Sequence, residues 1–173
     1  ALNLRDAFAS EGGWPPDHLL RYAFENCANF EEAVACIAEA PLARPTLFTL
    51  AGVRRGEMAL IERTEQEARV LRGPVIVVND WQEPQAGWQA RMSYENNLHR
   101  KAAMRSVAPD APRFSWVREP VLNRLTRLAV EMCAVGAGDF AARGYECPYV
   151  KGQPAAATRD FCLGAATPTA LAA

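Results

Sequence analysis

Histidine, clustered charge and long apolar runs are all scarce in this sequence. The two histidines, His18 and His99, fall in helix-like stretches without a Cys, Asp or Glu at metal-ligand spacing. Both read as surface residues, and no metal site is expected. Five cysteines, Cys27, Cys36, Cys133, Cys147 and Cys162, are odd in number and form no C-x-x-C pair, which speaks against a zinc site or a disulfide framework. Cys27 and Cys36 read as packing residues, and a Cys147 to Cys162 bridge stays open. Like-signed neighbours never run beyond pairs such as Arg54-Arg55 or Glu31-Glu32, so nothing is laid out to track a phosphate backbone and nucleic acid is not an expected partner. Apolar runs such as 75–78 are far too short for a transmembrane segment, and no charged-then-apolar leader is visible. A soluble chain is expected, cytoplasmic rather than exported.

What the sequence does hold is enough apolar surface for a core. Half of its 173 residues are apolar, and 19 basic residues nearly balance 20 acidic ones, so one domain of ordinary size is the default. The chain opens at Ala1 inside a strand-like Ala-Leu-Asn-Leu, and a preceding segment is expected. Gly12-Gly13 breaks this stretch. Pro15-Pro16-Asp17 opens a helix with Leu19, Leu20, Ala23 and Phe24 on its apolar side and Asn26 as its stop. Asn29 caps a second helix that carries Glu31 and Glu32 in its first turn and runs to the breaker Pro41. From Pro45 the period becomes strand-like, with strands expected at 46–51, 58–63, 68–71 and 75–78, joined as antiparallel neighbours. A helix follows over 93–104, with Tyr94, Leu98 and Ala102 on one face. A hairpin is expected from 128–135, through Gly136-Ala137-Gly138-Asp139, into 140–143. Residues 148–173 are rich in Ala, Pro, Thr and Gly and read as a mobile tail, with Phe161 and Leu163 as anchors.

The stretch Pro74-Val75-Ile76-Val77-Val78-Asn79-Asp80-Trp81 ends an apolar run on polar residues. From the residues alone, Asn79-Asp80 is a strand stop, because both side chains favour turns. Together with Arg91, with Phe30-Glu31-Glu32-Ala33, with 47–52 through 61–63, and with Pro120-Val121-Leu122-Asn123-Arg124-Leu125-Thr126, it resembles the acid ceramidase and N-acylethanolamine acid amidase group of N-terminal nucleophile hydrolases, of the choloylglycine hydrolase type. The resemblance covers residues 1–147, and it is the shared order of the words that carries it.

That resemblance implies an α+β fold, specifically the αββα sandwich of two antiparallel sheets between helices, here incomplete, and a cysteine-dependent hydrolysis of linear acyl amides. It implies no metal or organic cofactor. Such enzymes attack with the thiolate of a chain-terminal cysteine whose own amine is the base. Asn79 takes the position of the active-site asparagine, a neutral donor to the oxyanion, and Arg91 that of an arginine near the same pocket. Asn3 and Trp81 are the candidate substrate-binding residues, Trp81 competing with a role in closing the core. Asn123 reads as a structural side chain bonding loop backbone. None of the five cysteines stands at the nucleophile's position, which in the family lies upstream of Leu2-Asn3, so the chain alone is expected to be inactive and its first partner to be a segment carrying that cysteine. Where acid ceramidase-like members have a carboxylate after the asparagine, this chain has Leu4. That leaves N-acylethanolamine, ceramide, bile-salt and penicillin V-like amides all open as substrates. A degenerate homologue that binds acyl ligands without catalysis is the alternative. Uncovered sheet faces and edges are expected to make the chain poorly soluble.

Overall fold

The computed structural model describes residues 2–4, 12–83, 94–123, 125–134, 138–146 and 155–164, with backbone alone for 2–4, 94 and 164. They fall into two compact units, Ala1–Arg105 and Ser106–Ala173, a boundary the sequence pattern does not place. The architecture is α+β with antiparallel sheets.

In the first unit a four-stranded sheet runs in the order β1 (Leu2–Leu4), β2 (Thr46–Ala51), β3 (Met58–Arg63), β4 (Ala68–Arg72). Two helices, α1 (Pro16–Asn26) and α2 (Phe30–Glu39), pack on one face of it. Both begin where local chemistry favours it. Pro16 opens α1 at a position whose N–H has no helical partner, and Asn29 Oδ1 accepts the Glu32 N–H at 3.0 Å while Glu32 Oε2 accepts the Ala28 N–H at 2.9 Å. Leu19, Ala23, Val34 and Ile37 then bury against Phe48, Leu50, Ala59 and Ile61. Gly13 lets the chain enter α1 closely: Trp14 N–H donates to Pro41 O at 2.8 Å, and a Cβ at residue 13 would lie 2.4 Å from Ala43 N. The β2–β3 hairpin closes through Gly56, whose φ of 89° suits glycine.

β3 is covered on both faces, so its last two residues are buried charges. Arg63 lies on the helix side, where its guanidinium donates to the Ile37 carbonyl and, at 2.8 Å, to the Ala40 carbonyl. The last turn of α2 has no basic residue of its own, and Arg63 supplies the cation from the sheet. Burial lowers its pKa from the usual arginine value. At the other end of α2, Arg72 holds Glu31 through two hydrogen bonds of 2.8 and 2.6 Å.

The expected strand at 75–78 is corrected. Those residues join no ladder; Val75 and Val77 instead lie against Leu47, Leu60 and Trp81 on the sheet face opposite the helices. α3 (Tyr94–Arg105) forms where expected, but Leu98 and Ala102 of its expected apolar face do not bury. Leu98 is 46% exposed and Ala102 is exposed, whereas Asn97 is 2% exposed.

The second unit is a sheet in the order β5 (Leu128–Cys133), β6 (Asp139–Tyr145), β7 (Ala157–Gly164). Part of the expected mobile tail is therefore a strand, fixed by its ladder with β6 and by a two-point Arg143–Asp160 pair at 2.6 and 2.8 Å. That pair holds the Asp160 carboxyl below the usual carboxylate range. Phe161 and Leu163 do not anchor it, being 56% and 59% exposed. One face of the sheet packs Ala129, Ala141 and Tyr145 on Phe114 and Leu122. Glu131 pins that covering segment, accepting from Phe114 N–H at 2.6 Å and Trp116 Nε1–H at 2.7 Å. The register aligns Leu128, Val130 and Met132 with Gly144, Ala142 and Phe140, and the last two with Phe161 and Leu163. At these positions that face is apolar and largely open, with Thr158 beside Gly144 at its edge. Asn123 is structural: its Oδ1 accepts the Leu125 N–H at 2.9 Å, and its own N–H donates to Thr126 Oγ1 at 3.0 Å. Cys162 is a free thiol, and Cys147, the other end of the bridge left open, lies outside the described residues.

Candidate functional site

Asn79, the residue singled out from sequence, sits half-buried at the start of a short turn that follows the Val75 and Val77 strip. The turn is fixed at three points. Gln82 Nε2 donates back to the Ile76 carbonyl at 2.9 Å and so ties the two ends of the 76–82 loop. Asp80 Oδ1 accepts the Trp81 N–H at 2.9 Å, the local carboxylate-to-backbone bond that favours Asp in turns. Below it, the Trp81 ring is 3% exposed and packs on Leu47 and Leu60. Trp81 therefore holds the turn to the sheet, and its ring is a core element rather than an exposed wall of an acyl pocket.

The third attachment is Glu62, which the sequence reading passed over. It reaches out of β3 on the face opposite Arg63 and accepts the Gln82 N–H at 2.6 Å through Oε1. Glu62 is 2% exposed, and among the described residues its Oε2 accepts no hydrogen bond. Arg69 Nη1, across the β3–β4 ladder, approaches that oxygen only to 3.9 Å, and Arg69 is engaged by Glu83 at 2.7 Å. Desolvation pushes the Glu62 carboxyl up from its usual range. The Gln82 N–H, Arg69 and Lys101 oppose that rise, and Glu83 adds to it. A signal was present in the sequence: Ala59-Leu60-Ile61 is apolar at consecutive positions, the mark of a strand covered on both faces, so the charges that follow it inherit burial on opposite sides.

α3 brings a second polar group into this unit. Asn97 Oδ1 accepts from Arg100 Nη2 at 2.6 Å, and burial lowers the Arg100 pKa. Arg105 borders a hollow of about 360 Å³ together with Pro74, Val75, Ile76 and Gln82. No apolar pattern marked Asn97 for burial.

Of the remaining candidates, Asn3 lies in β1 in register with Leu47, which pairs with Glu62, which pairs with Arg69. Residue 3 thus belongs to the same cross-strand row as the carboxylate that holds the Asn79 turn. Arg91 lies outside the described residues, so its relation to Asn79 is not described. Among the described residues, no group of three or more His, Cys, Asp or Glu side chains is placed to hold a metal ion, and no helix is long and apolar enough to cross a membrane.

This geometry defines an α+β chain with two antiparallel sheets and a polar turn clamped to the first of them. Neither a protein-family model nor a curated protein matches the sequence.

Proposed function

We propose that this chain is part of a cysteine-dependent amidase of the N-terminal nucleophile type, hydrolysing the C–N bond of linear acyl amides, with Asn79 as oxyanion donor and Arg91 as the active-site arginine. The nucleophilic cysteine is contributed from outside these residues, because none of the five cysteines holds its position. The observation that carries the reading is the fixing of the Asn79 turn by Glu62, Trp81 and Gln82. An oxyanion donor acts by being in place before charge develops, and a turn closed by Gln82 on Ile76 and held to the sheet by Glu62 and Trp81 meets that requirement. The sheet with helices on one face fits one half of an αββα sandwich, and the open apolar face of β5–β7 is of the kind that a second sheet covers.

The test is to express the chain in frame with its upstream coding sequence and to screen N-acylethanolamine, ceramide, conjugated bile salt and penicillin V substrates. Hydrolysis that depends on a new terminal cysteine is expected. In that enzyme Asn79→Ala lowers acyl transfer about a hundredfold, near 3 kcal/mol, with the fold retained, and Arg91→Lys also impairs it because an ammonium lacks the planar fork. A folded enzyme without turnover on any of these amides overturns the reading; retained acyl-ligand binding in that case favours a non-catalytic module.

A further inference from the structure

Away from the Asn79 turn, the connection between α1 and α2 and the tip of the β2–β3 hairpin enclose a groove of about 270 Å³. Its lining combines the buried Leu50 with Phe24, Cys27, Phe30 and Val53. Phe24 and Val53 are 65% and 67% exposed, more than any other large apolar side chain described in the first unit. Both border this one groove, so the exposure is clustered, and clustered apolar exposure beside polar groups marks a binding surface where scattered exposure does not.

The polar end of the groove is built around Arg54. Its backbone is held twice by Glu57, whose Oε2 accepts the Arg54 N–H at 2.9 Å and whose own N–H donates to the Arg54 carbonyl at 3.2 Å. Gly52 permits this fold-over, since a Cβ there would lie 2.2 Å from Glu57 Oε2. The Glu57 carboxylate is thus turned onto the hairpin backbone. Among the described residues the Arg54 guanidinium makes no ion pair or hydrogen bond, whereas Arg21, Arg69, Arg72 and Arg143 each hold a carboxylate. An apolar groove with a free guanidinium at its mouth is complementary to an amphipathic anion.

We propose that this groove binds a free aliphatic carboxylate of medium chain length, with the chain along Phe24, Phe30, Leu50 and Val53 and the carboxylate on the Arg54 guanidinium. The planar fork suits two carboxylate oxygens at once. The volume sets the chain: at about 30 Å³ for a water-sized unit, the groove holds the bulk of a chain of roughly eight to ten carbons. Each methylene moved from water into it tightens binding by up to about fourfold. An exposed guanidinium–carboxylate contact adds only about fivefold in all. The chain therefore supplies most of the affinity, and Arg54 supplies the preference for an acid over a neutral chain. The proposal does not depend on Asn79 or on amide hydrolysis.

The experiment uses the 173-residue chain, decanoate as the probe and 1-decanol as its neutral counterpart. The readout is the alkylation rate of Cys27, a half-buried free thiol that lines the groove. Mass mapping separates it from the exposed Cys133, which reports non-specific adsorption. Decanoate below its micellar concentration is expected to slow Cys27 alkylation saturably, well before it affects Cys133 and at lower concentration than decanol. Arg54→Gln should raise the half-protecting concentration of decanoate about fivefold and leave that of decanol unchanged. The double change Phe24→Ser and Val53→Ser, at exposed positions, should weaken protection by both, with circular dichroism confirming that the helices are kept. Absence of Cys27 protection, the same dose dependence at Cys27 and Cys133, or a ratio of decanoate to decanol protection that Arg54→Gln leaves unchanged would overturn the proposal.

Discussion

Replacing Glu62 with Gln isolates the energetic consequence of burying a carboxylate under the Asn79 turn. The substitution keeps a carbonyl oxygen where Oε1 now accepts the Gln82 N–H at 2.6 Å and replaces the charged Oε2 by a neutral amide NH2. Two terms compete. A hydrogen bond to a charged acceptor is worth about 1.5–3 kcal/mol against about 1 kcal/mol for a neutral one, so the variant loses roughly 1 kcal/mol there. Against that, the buried Oε2 accepts no hydrogen bond among the described residues and has its cation at 3.9 Å; the NH2 that takes its place is unsatisfied too, but a buried charge costs several kcal/mol against about 1–3 kcal/mol for a neutral group. The second term is larger, which agrees with desolvation being the leading cause of the raised Glu62 pKa. Glu62→Gln is therefore expected to stabilise the first unit by about 1 kcal/mol at pH 8.

The sign of the pH dependence follows from the same displacement. A carboxyl whose folded pKa stands above its ordinary value of 4.5 binds its proton more tightly in the folded chain. Its favourable contribution is complete below that ordinary value and is lost as pH rises through the folded one. The gap between variant and wild type should thus be small at pH 4 and open toward pH 8. Urea unfolding in a Trp116→Phe background reads the first unit alone, because Trp14, Trp81 and Trp88 all precede Ser106. With an m-value of about 1.5 kcal/mol/M, the midpoint should rise by roughly 0.7 M at pH 8. A variant that is less stable than wild type at pH 8, with the deficit shrinking at pH 4, would refute the reasoning and show that Arg69 and Lys101 outweigh desolvation.

Other substitutions probe the remaining buried polar groups and the open sheet face. Arg63→Met removes the donors to the Ile37 and Ala40 carbonyls and should cost about 3 kcal/mol in urea unfolding with loss of helical signal from α2; a cost below about 1 kcal/mol would remove Arg63 as its cap. Glu131→Ala orphans Phe114 N–H and Trp116 Nε1–H and should cost the second unit about 2–4 kcal/mol, with Trp116 emission shifting to the red in the native state. The double change Met132→Lys and Phe161→Lys, at positions 71% and 56% exposed, should raise solubility and lower binding of a hydrophobic dye without a loss of stability. A drop in unfolding midpoint comparable to a core substitution would show that this face is covered in the isolated chain.

Elements that announce themselves by local punctuation were legible in the sequence. The Pro16 and Asn29 starts, the Gly56 turn and the strands Thr46–Ala51 and Met58–Arg63 follow from caps, turns and period. The rest turned on tertiary context. Residues 75–78 have strand composition, but Val75 and Val77 are used to cover a sheet face, so an apolar run became a lid strip without a ladder. β7 shows apolar alternation only at its end, in Phe161 and Leu163, and its place is set by β6 and by Arg143 pairing with Asp160, partners that no window within residues 148–173 contains. In α3 the buried position is Asn97, which bonds Arg100 within the helix, rather than Leu98, so the apolar spacing did not mark the buried face. For the site, Asn79 and Trp81 stood out as the polar and aromatic end of an apolar run. Glu62 did not, because its partner, the Gln82 N–H, is a backbone group that no residue type advertises.

The two buried charges of β3 act in parallel on opposite faces. Arg63 closes the carbonyl end of α2, and Glu62 holds the amide of Gln82. An apolar residue at position 62 would bury at lower cost if the turn above it served only to shield Leu47 and Leu60. An acceptor at that position instead fixes where the Gln82 amide sits, and with it the backbone that leads from Asn79. Positional definition of this kind matters little for a covering loop and a great deal for a donor that must be in place before an oxyanion forms. On the proposed reading, the stability given up at Glu62 is the counterpart of a preorganised Asn79, the exchange expected where a site is built at the expense of its fold. The same pairing gives a joint outcome in the complete enzyme: Glu62→Leu should leave the helix side of the sheet intact and loosen the 79–82 turn, lowering turnover, while its stability relative to wild type still rises from pH 4 to pH 8 as that of Glu62→Gln does, because both remove the carboxyl.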